Sequence, residues 1–438
     1  YPKDHPYNWQ VIGSLEDLQN ATLDDVKTFF KKWYVPNNST LILSGDIDIE
    51  QATEWVHTYF DEIPKGNEIP VQEKRAGIVL ETKSFYYEDN FARVPQLTMA
   101  WPTVALYHPD SYPLEVLTEY LSSGKSAPLN EVLVDDLKLT SYTSMGGYVS
   151  ELAGQTQLSV RAFNGIPLDT VKAGIEQAFS KFEAEGISEK DLNRIKAGQE
   201  TNFYQSLSSV LGKGNGLASY NTYTGNPGFV TEDIKRTLAV TTEDVMRVYK
   251  KYIQNKNYIA TSFVPKNAAD LALKDAVLEA VVEEKIVTDA EEKFDPKIAA
   301  TYKKTPSSFD RSIEPPYGET PSLAVPKVYE NSLKNGLKIF GIENDEVPLV
   351  RFNLTIDGGQ LLDSMDKLGV ANLTAGLLNK GTKNKTVQEL EEAIQELGAF
   401  INIYANTENI TLSGTTLAKN YSKTLALAQE MLLEPRFD

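Results

Sequence analysis

The spacing of apolar and polar residues along the chain predicts helices alternating with short strands. In residues 22–35, TLDDVKTFFKKWYV, one helix face carries the apolar side chains Val26, Phe29, Phe30 and Trp33. Thr22 precedes this helix and is suited to cap it. TLILSGD, at 40–46, has the apolar run of a buried strand, and Asp48 is placed to cap the helix that follows.

The same helix–turn–strand pattern occurs a second time, at a constant offset of 219 positions. TTEDVMRVYKKYIQNKNYIATSFV, at 241–264, aligns without a gap to residues 22–45. The register pairs Asp25 with Asp244, Lys31 with Lys250, and Asn38 with Asn257. This agreement indicates a repeated supersecondary unit.

Strand-like and helical segments alternate between the two copies. Residues 94–102, VPQLTMAWP, and 146–163 have the apolar content of strands, whereas 168–186 and 188–207 have helical periodicity. Such a mixture predicts an α+β fold in which helices cover one face of a sheet. We assign residues 1–265 to this first part.

The remaining chain divides into a linker and a second α/β region. Residues 267–287 can form one helix, and several prolines follow, so 266–326 is predicted to be a tether. From 327 onward, Asn335-Gly336 predicts a hairpin, 348–359 a strand, and Thr386 with Glu389 a capping box. A second hairpin at 399–417 and a helix at 421–433 complete residues 327–438.

Composition restricts the chemistry. The chain has 43 Lys and Arg against 61 Asp and Glu, and its net charge of −18 disfavours nucleic-acid binding. This charge would attract basic peptides, although solubility alone is enough to account for it. Cysteine is absent, which excludes thiolate chemistry, and no apolar run reaches the length of a membrane span.

The sequence lacks the residues that simple zinc-binding and phosphate-binding motifs require. The three histidines, His5, His57 and His108, are scattered, whereas a zinc site needs about three protein ligands. We interpret His57 as a solvated helix residue, although Asp61 could share its face, and His108 as a capping or surface residue. The segment SSGKSAPL has a phosphate-loop ending, but Glu119 stands where that loop requires glycine.

One stretch carries a specific likeness. Residues 357–382, DGGQLLDSMDKLGVANLTAGLLNKGT, resemble the signature of the pitrilysin/insulinase zinc metallopeptidases, the inverzincins. In that family the helix reads H-x-x-E-H; the histidines hold zinc and the Glu polarises the attacking water. At those positions this chain has Asn372, Ala375 and Gly376. The resemblance therefore implies a degenerate motif, with no catalytic residue and no metal site in this chain.

The resemblance extends to most of the chain and implies a domain order. Family members have two homologous halves, each of two α/β domains, which close around a peptide, and only one half binds zinc. Residues 1–265 are similar to the second domain of the first half, with the tail of the preceding domain at about 1–20. Residues 327–438 are similar to a degenerate, truncated first domain of the second half. Pro128 stands where the family often has Arg, which puts the role of that Arg in doubt here.

The resemblance implies a non-catalytic, peptide-binding section of an insulinase-type zinc metalloendopeptidase that hydrolyses peptides in a closed chamber. Its partners would be the peptide substrate and a catalytic domain, in the same polypeptide or in another subunit, which would carry the zinc. The alternatives are an inactive insulinase-like structural or binding subunit and an unrelated α+β adaptor. By resemblance alone a bacterial periplasm or cell envelope is favoured; the residues leave the compartment open.

Overall fold

The computed structural model describes residues 1–279, 306–315, 317–318, 320, 322 and 324–437. The α-helices of the described residues are α1 (Leu15–Asn20), α2 (Leu23–Trp33), α3 (Ile49–Phe60), α4 (Ser111–Ser122), α5 (Pro128–Asn130), α6 (Leu168–Glu185), α7 (Glu189–Ser206), α8 (Val210–Thr224), α9 (Val230–Ala239), α10 (Thr242–Tyr252), α11 (Val370–Leu378), α12 (Val387–Glu396) and α13 (Tyr421–Leu433). Its strands are β1 (Lys83–Asp89), β2 (Gln96–Thr103), β3 (Thr140–Val149), β4 (Gly154–Ala162), β5 (Ile259–Pro265), β6 (Val277–Leu278), β7 (Val328–Ser332), β8 (Lys338–Ile342), β9 (Leu349–Asp357), β10 (Phe400–Ala405) and β11 (Asn409–Leu417). The mixture of elements confirms the α+β class.

These elements belong to two units. The first unit comprises Tyr1–Trp9, Gln72–Val281 and Pro348–Asp438, and the second comprises Gln10–Val71 and Val282–Val347. The domain boundaries inferred from the sequence remain a prediction. In the residues that the structure describes, no helix is both long and apolar enough to cross a lipid bilayer.

A six-stranded mixed sheet forms the centre of the first unit. Its strand order is β3-β4-β2-β5-β1-β6; β5 pairs in parallel with β1 and antiparallel with β2. Alternate residues of β2 and β4 are buried, as expected for a sheet with one face against helices. The largest fully buried side chains of this core are Trp101 on β2, Phe182 on α6 and Tyr249 on α10.

The first unit also contains a smaller sheet built from residues after 348. Its order is β10-β11-β9, and all its pairs are antiparallel. Helices α11, α12 and α13 add Ala375, Leu390 and Met431 to the apolar core beneath it. The capping box of Thr386 and Glu389, the hairpin and the helix from Tyr421 are all confirmed.

The second unit contains α1 to α3 and the predicted hairpin of β7 and β8. Thr22 caps α2 and forms a capping box with Asp25, and the Asp48 carboxylate accepts the N–H of Gln51 at the start of α3. Beyond the other end of α3, Glu62 Oε1 accepts a hydrogen bond from Arg311 Nη2 at 2.9 Å.

Two sequence predictions of secondary structure are wrong. Residues 40–46 are not a strand, since in the described part of the chain they have no neighbouring strand to pair with. Within the described part of 267–287 there is no α-helix; a 3₁₀ turn at Ala269–Leu271 precedes β6, which pairs with β1. Backbone pairing at the sheet edge replaces the helix there. The rest of that predicted helix lies outside the described residues.

Candidate functional site

Helix α11 carries the stretch that resembles the metallopeptidase signature, and polar side chains fix both of its ends. The Asp363 carboxylate accepts the N–H groups of Gly369 at 2.7 Å and Ala371 at 3.0 Å. At the other end, Asn379 exchanges two hydrogen bonds with the backbone of Ile403 on β10, at 2.7 and 3.0 Å. The helix is therefore held firmly against the smaller sheet.

The three motif positions of α11 lie in two environments. Asn372 and Gly376 are exposed and, four residues apart, share a helix face. A Cβ added to Gly376 would meet no atom within 4 Å. Ala375 is only 1% exposed and packs in the apolar core.

These positions do not fit a zinc ion. Ala375 and Gly376 have no donor atom, and Asn372 alone supplies at most one. Across the described residues, no three His, Cys, Asp or Glu side chains are grouped so that they could hold a metal.

A second feature of the first unit is a cavity of about 890 Å³ between α4, β3 and the turns that follow α4. Gly146 and Gly147 of β3 are among its lining residues. The polar side chains that line it include Thr103, Ser111, Glu115, Thr118, Glu119, Ser122, Lys125, Asn130, Asp135, Ser144 and Glu391.

Hydrogen bonds hold the cavity wall in place. β3 is an edge strand, and Ser122 Oγ accepts the N–H of Met145 at 3.1 Å and donates to its carbonyl at 3.3 Å. Thr143 Oγ1 donates to Asn130 Oδ1 at 2.6 Å, and the Asn130 amide donates to the Gly124 carbonyl at 2.8 Å. These bonds join the end of α4 and the turn after it to the middle of β3.

Two carboxyl groups on α4 enter this cavity. Burial raises the pKa of Glu119 to about 7; a hydrogen bond from Gln199 at 3.2 Å opposes the rise. Burial also raises the pKa of Glu115, and the nearby Asp233 carboxylate adds to that effect. Glu115 remains accessible to solvent, but the protein around it replaces part of its hydration.

A third carboxyl group reaches the cavity from a distant part of the chain. Glu391 lies on α12, which packs against α7. Arg194 Nη1 donates to Gln395 Oε1 at 2.5 Å, and Thr201 Oγ1 donates to the Gly398 carbonyl at 2.7 Å. Through this contact residues after 348 help to enclose a cavity built mainly by residues 103–156.

Comparisons of the sequence with models of known protein families match two parts of the chain to one family. A sequence model of the "Peptidase M16 inactive domain" matches residues 20–199, and one of "Insulinase (Peptidase family M16)" matches residues 339–438. The chain belongs to the insulinase family of peptidases, family M16. The predicted resemblance is confirmed, and the match to an inactive domain supports a non-catalytic, M16-like chain.

Individual relatives are distant. The chain is 22% identical over 253 residues to the zinc protease PqqE of Helicobacter pylori, a match that covers 57% of each protein. It is 21% identical over 466 residues to the mitochondrial presequence protease of Yarrowia lipolytica, covering 96% of this chain and 46% of the relative. The matches thus span about half the length of these two relatives. A crystal structure of a protease from Helicobacter pylori superposes with a TM-score of 0.52 at 21% identity, covering 60% of this chain and 63% of the other, which shows a shared fold.

The structure separates the residues that the sequence singled out. His57 Nδ1 contacts Asp61 Oδ2 at 2.8 Å with both side chains largely exposed, and His108 accepts the N–H of Asp110 just before α4. The interpretation of His57 as a solvated helix residue is confirmed. His108 is an exposed surface residue, the second of its two alternatives, and does not cap α4, whose N-cap is Asp110. His5 is instead buried and bonded to the Arg75 carbonyl.

Sequence reasoning missed the carboxylate pair of the cavity. In the sequence, Glu119 was considered only because it occupies a position where a phosphate loop requires glycine. The available signal was the spacing of Glu115 and Glu119, which places two charges on one face of an otherwise apolar helix.

Proposed function

We propose that this chain is the non-catalytic, peptide-binding section of an insulinase-type zinc metalloendopeptidase that hydrolyses peptides in a closed chamber. Asn372, Ala375 and Gly376 occupy the degenerate motif positions. The zinc and the catalytic glutamate belong to another domain, in the same polypeptide or in a partner subunit.

One observation carries this proposal: helix α11 is held at both ends, but the side chains at its motif positions cannot bind zinc. Asp363 and Asn379 still fix both ends of the helix, whereas the exposed face of Asn372 and Gly376 lacks the donors that zinc requires. The open cavity beside β3 supports the peptide-binding part, because binding sites are usually concave and carry a few placed polar groups.

The first prediction concerns metal and activity. The purified chain should contain no stoichiometric zinc by elemental mass spectrometry, even after incubation with zinc, and should not cleave quenched fluorescent peptides. The same peptides, labelled at one end, should bind to the chain in fluorescence anisotropy. Cleavage that a chelator abolishes would contradict the proposal, and so would a complete lack of binding by a panel of unrelated peptides.

A second candidate is an inactive insulinase-like structural or binding subunit with no catalytic half. The match of residues 20–199 to an inactive domain suits this candidate as well. Intact mass and peptide mapping of the protein as its source organism makes it would separate the two. An H-x-x-E-H helix in the same polypeptide supports the protease section, and its absence from that polypeptide and from any co-purifying subunit supports the second candidate.

A further inference from the structure

The cavity beside β3 has a chemical preference that the family assignment does not supply. We propose that Glu115 and Glu119 bind a positively charged side chain of the peptide. The guanidinium of arginine is the preferred group, and the ammonium of lysine binds less tightly. This proposal rests on the proposed peptide-binding function and specifies which side chain the cavity selects.

The placement of the two carboxylates supports a single cation between them. On α4, residues four apart are neighbours on one face, with Cβ atoms about 6 Å apart. The positions between them, Val116, Leu117 and Thr118, are buried. Helix α4 therefore presents its two charges to the cavity as a pair, and a planar guanidinium has donors enough to bond to both.

An unpartnered hydroxyl in the same cavity points to a missing polar ligand. Thr103, at the end of β2, is 1% exposed, and its Oγ1 has no hydrogen-bond partner. Buried polar side-chain atoms are usually hydrogen-bonded, so an orphaned one that lines a cavity indicates a group supplied from outside. As both donor and acceptor, it can bond to the polar atoms of a bound peptide.

The charges around the cavity favour a cation over other ligands. Asp135 and Glu391 add two further acidic groups to its lining, and Lys125 is the one basic side chain among the described lining residues. Arg194, which lies near Glu119, is already bonded to Asp191 and Gln395. An anionic ligand would meet repulsion, and the described residues offer no three-donor group for a metal ion.

The test uses three peptides that differ at one position. An unstructured fluorescent peptide carries arginine, lysine or citrulline at its centre; citrulline keeps the shape of arginine without its charge. Anisotropy at about pH 8 and low salt gives Kd for the wild-type chain and for a Glu115→Gln/Glu119→Gln double variant. Glu408→Gln, in the β10–β11 turn and outside the cavity lining, is the control for loss of acidic charge.

We expect the arginine peptide to bind roughly tenfold more tightly than the citrulline peptide, and the double variant to remove that difference. The lysine peptide should fall between them, and Glu408→Gln should retain the full preference. Equal binding of the arginine and citrulline peptides to the wild-type chain would overturn the cation site but leave the proposed function standing. If none of the three binds, both proposals fail.

A second variant tests the orphaned hydroxyl. Thr103→Val keeps the shape of the side chain and removes its oxygen, so the free chain should unfold at the same denaturant concentration or a higher one. Peptide binding should weaken several-fold, because the ligand loses a hydrogen-bond partner. Unchanged affinity for all three peptides would exclude Thr103 from the site, and the acidic pair would then lack its independent support.

Discussion

Ala375 and Gly376 are adjacent on α11 and face opposite environments. Ala375 fills a tightly packed part of the core, whereas Gly376 has open space around its Cα. A carboxylate at 375 would have to be desolvated inside an apolar cluster, and a side chain at 376 would not. Burial therefore restricts which side chains position 375 can hold, whereas position 376 can hold a larger side chain.

The second prediction compares substitutions at these two positions. Ala375→Glu should lower the free energy of unfolding by roughly 3 kcal/mol or more, because it buries a charge and overpacks the core. Gly376→Ala should raise it by about 0.5–1 kcal/mol, because alanine favours the helix and meets no neighbour. Denaturant unfolding measures both changes. A tolerated Ala375→Glu would show that α11 can move away from the sheet.

The third prediction concerns the pH dependence of stability at Glu119. Burial raises the pKa of this carboxyl to about 7 from its ordinary value of 4.5, so between those pH values the folded chain holds a proton that the unfolded chain releases. The free energy of unfolding should therefore fall as pH rises from about 4.5 to 7, by roughly 1–2 kcal/mol after solvent screening.

Glu119→Gln isolates this effect, since glutamine does not titrate and can still bond to Gln199. Unfolding free energies of the wild-type chain and the variant, compared from pH 4.5 to 8, should converge at the acidic end. Parallel curves would mean that solvent reaches Glu119 freely and that its pKa is not raised.

At the scale of elements, the repeated helix shows how far local sequence determines structure. Both α2 and α10 begin with a capping box, Thr22 with Asp25 and Thr241 with Asp244, as their shared sequence requires. Helix α10 packs its apolar face into the core of the first unit. The apolar face of α2 stays exposed in the described structure.

The fourth prediction uses this repeat as its own control. Val26 and Val245 occupy equivalent helix positions but are 59% and 0% exposed. Val245→Ala should destabilise the chain by about 2 kcal/mol, through lost burial and a cavity, whereas Val26→Ala should stay within about 0.5 kcal/mol of wild type. Thermal or denaturant unfolding measures both. A large loss for Val26→Ala would reveal packing of α2 in solution.

At the scale of the whole molecule, the first unit depends on contacts between distant parts of the sequence. Gly398 ends α12 with a φ of 56°, and a Cβ there would lie 2.3 Å from the Ala197 carbonyl oxygen on α7. Only glycine combines that backbone conformation with so close an approach. This contact helps to position Glu391 at the cavity.

The fifth prediction tests this contact. Gly398→Ala should destabilise the first unit by about 2 kcal/mol or more, because it adds backbone strain and a clash with α7. Gly165→Ala is the matched control; Gly165 has a φ of 76° but no atom within 4 Å of an added Cβ, so strain alone should cost about 1 kcal/mol. Unfolding measurements compare the two, and faster proteolysis after 348 should accompany the first. Equal costs would contradict close packing of α12 on α7.

Local patterns in the sequence give some features of the fold and of the candidate site. Asn335-Gly336 and Thr386 with Glu389 were correctly assigned because a turn and a cap depend on neighbouring residues, and the motif positions Asn372, Ala375 and Gly376 remain a prediction from the same kind of local pattern. The cavity could not be predicted, because Glu391 is far from Thr103 and Glu119 along the chain and the three residues line one cavity only when α4, β2 and α12 pack.

By itself the sequence determined the capped starts of α2, α3 and α12, the hairpins and the lack of zinc-ligand side chains at Ala375 and Gly376, because caps, turns and ligand identity depend on a few neighbouring residues. Tertiary structure alone decided which apolar faces are buried and which charges share a cavity. Residues 40–46 and β5 show the difference: similar segments become a strand only where flanking strands such as β1 and β2 satisfy the backbone. Whether a segment has neighbouring strands for its backbone hydrogen bonds depends on the assembled sheet.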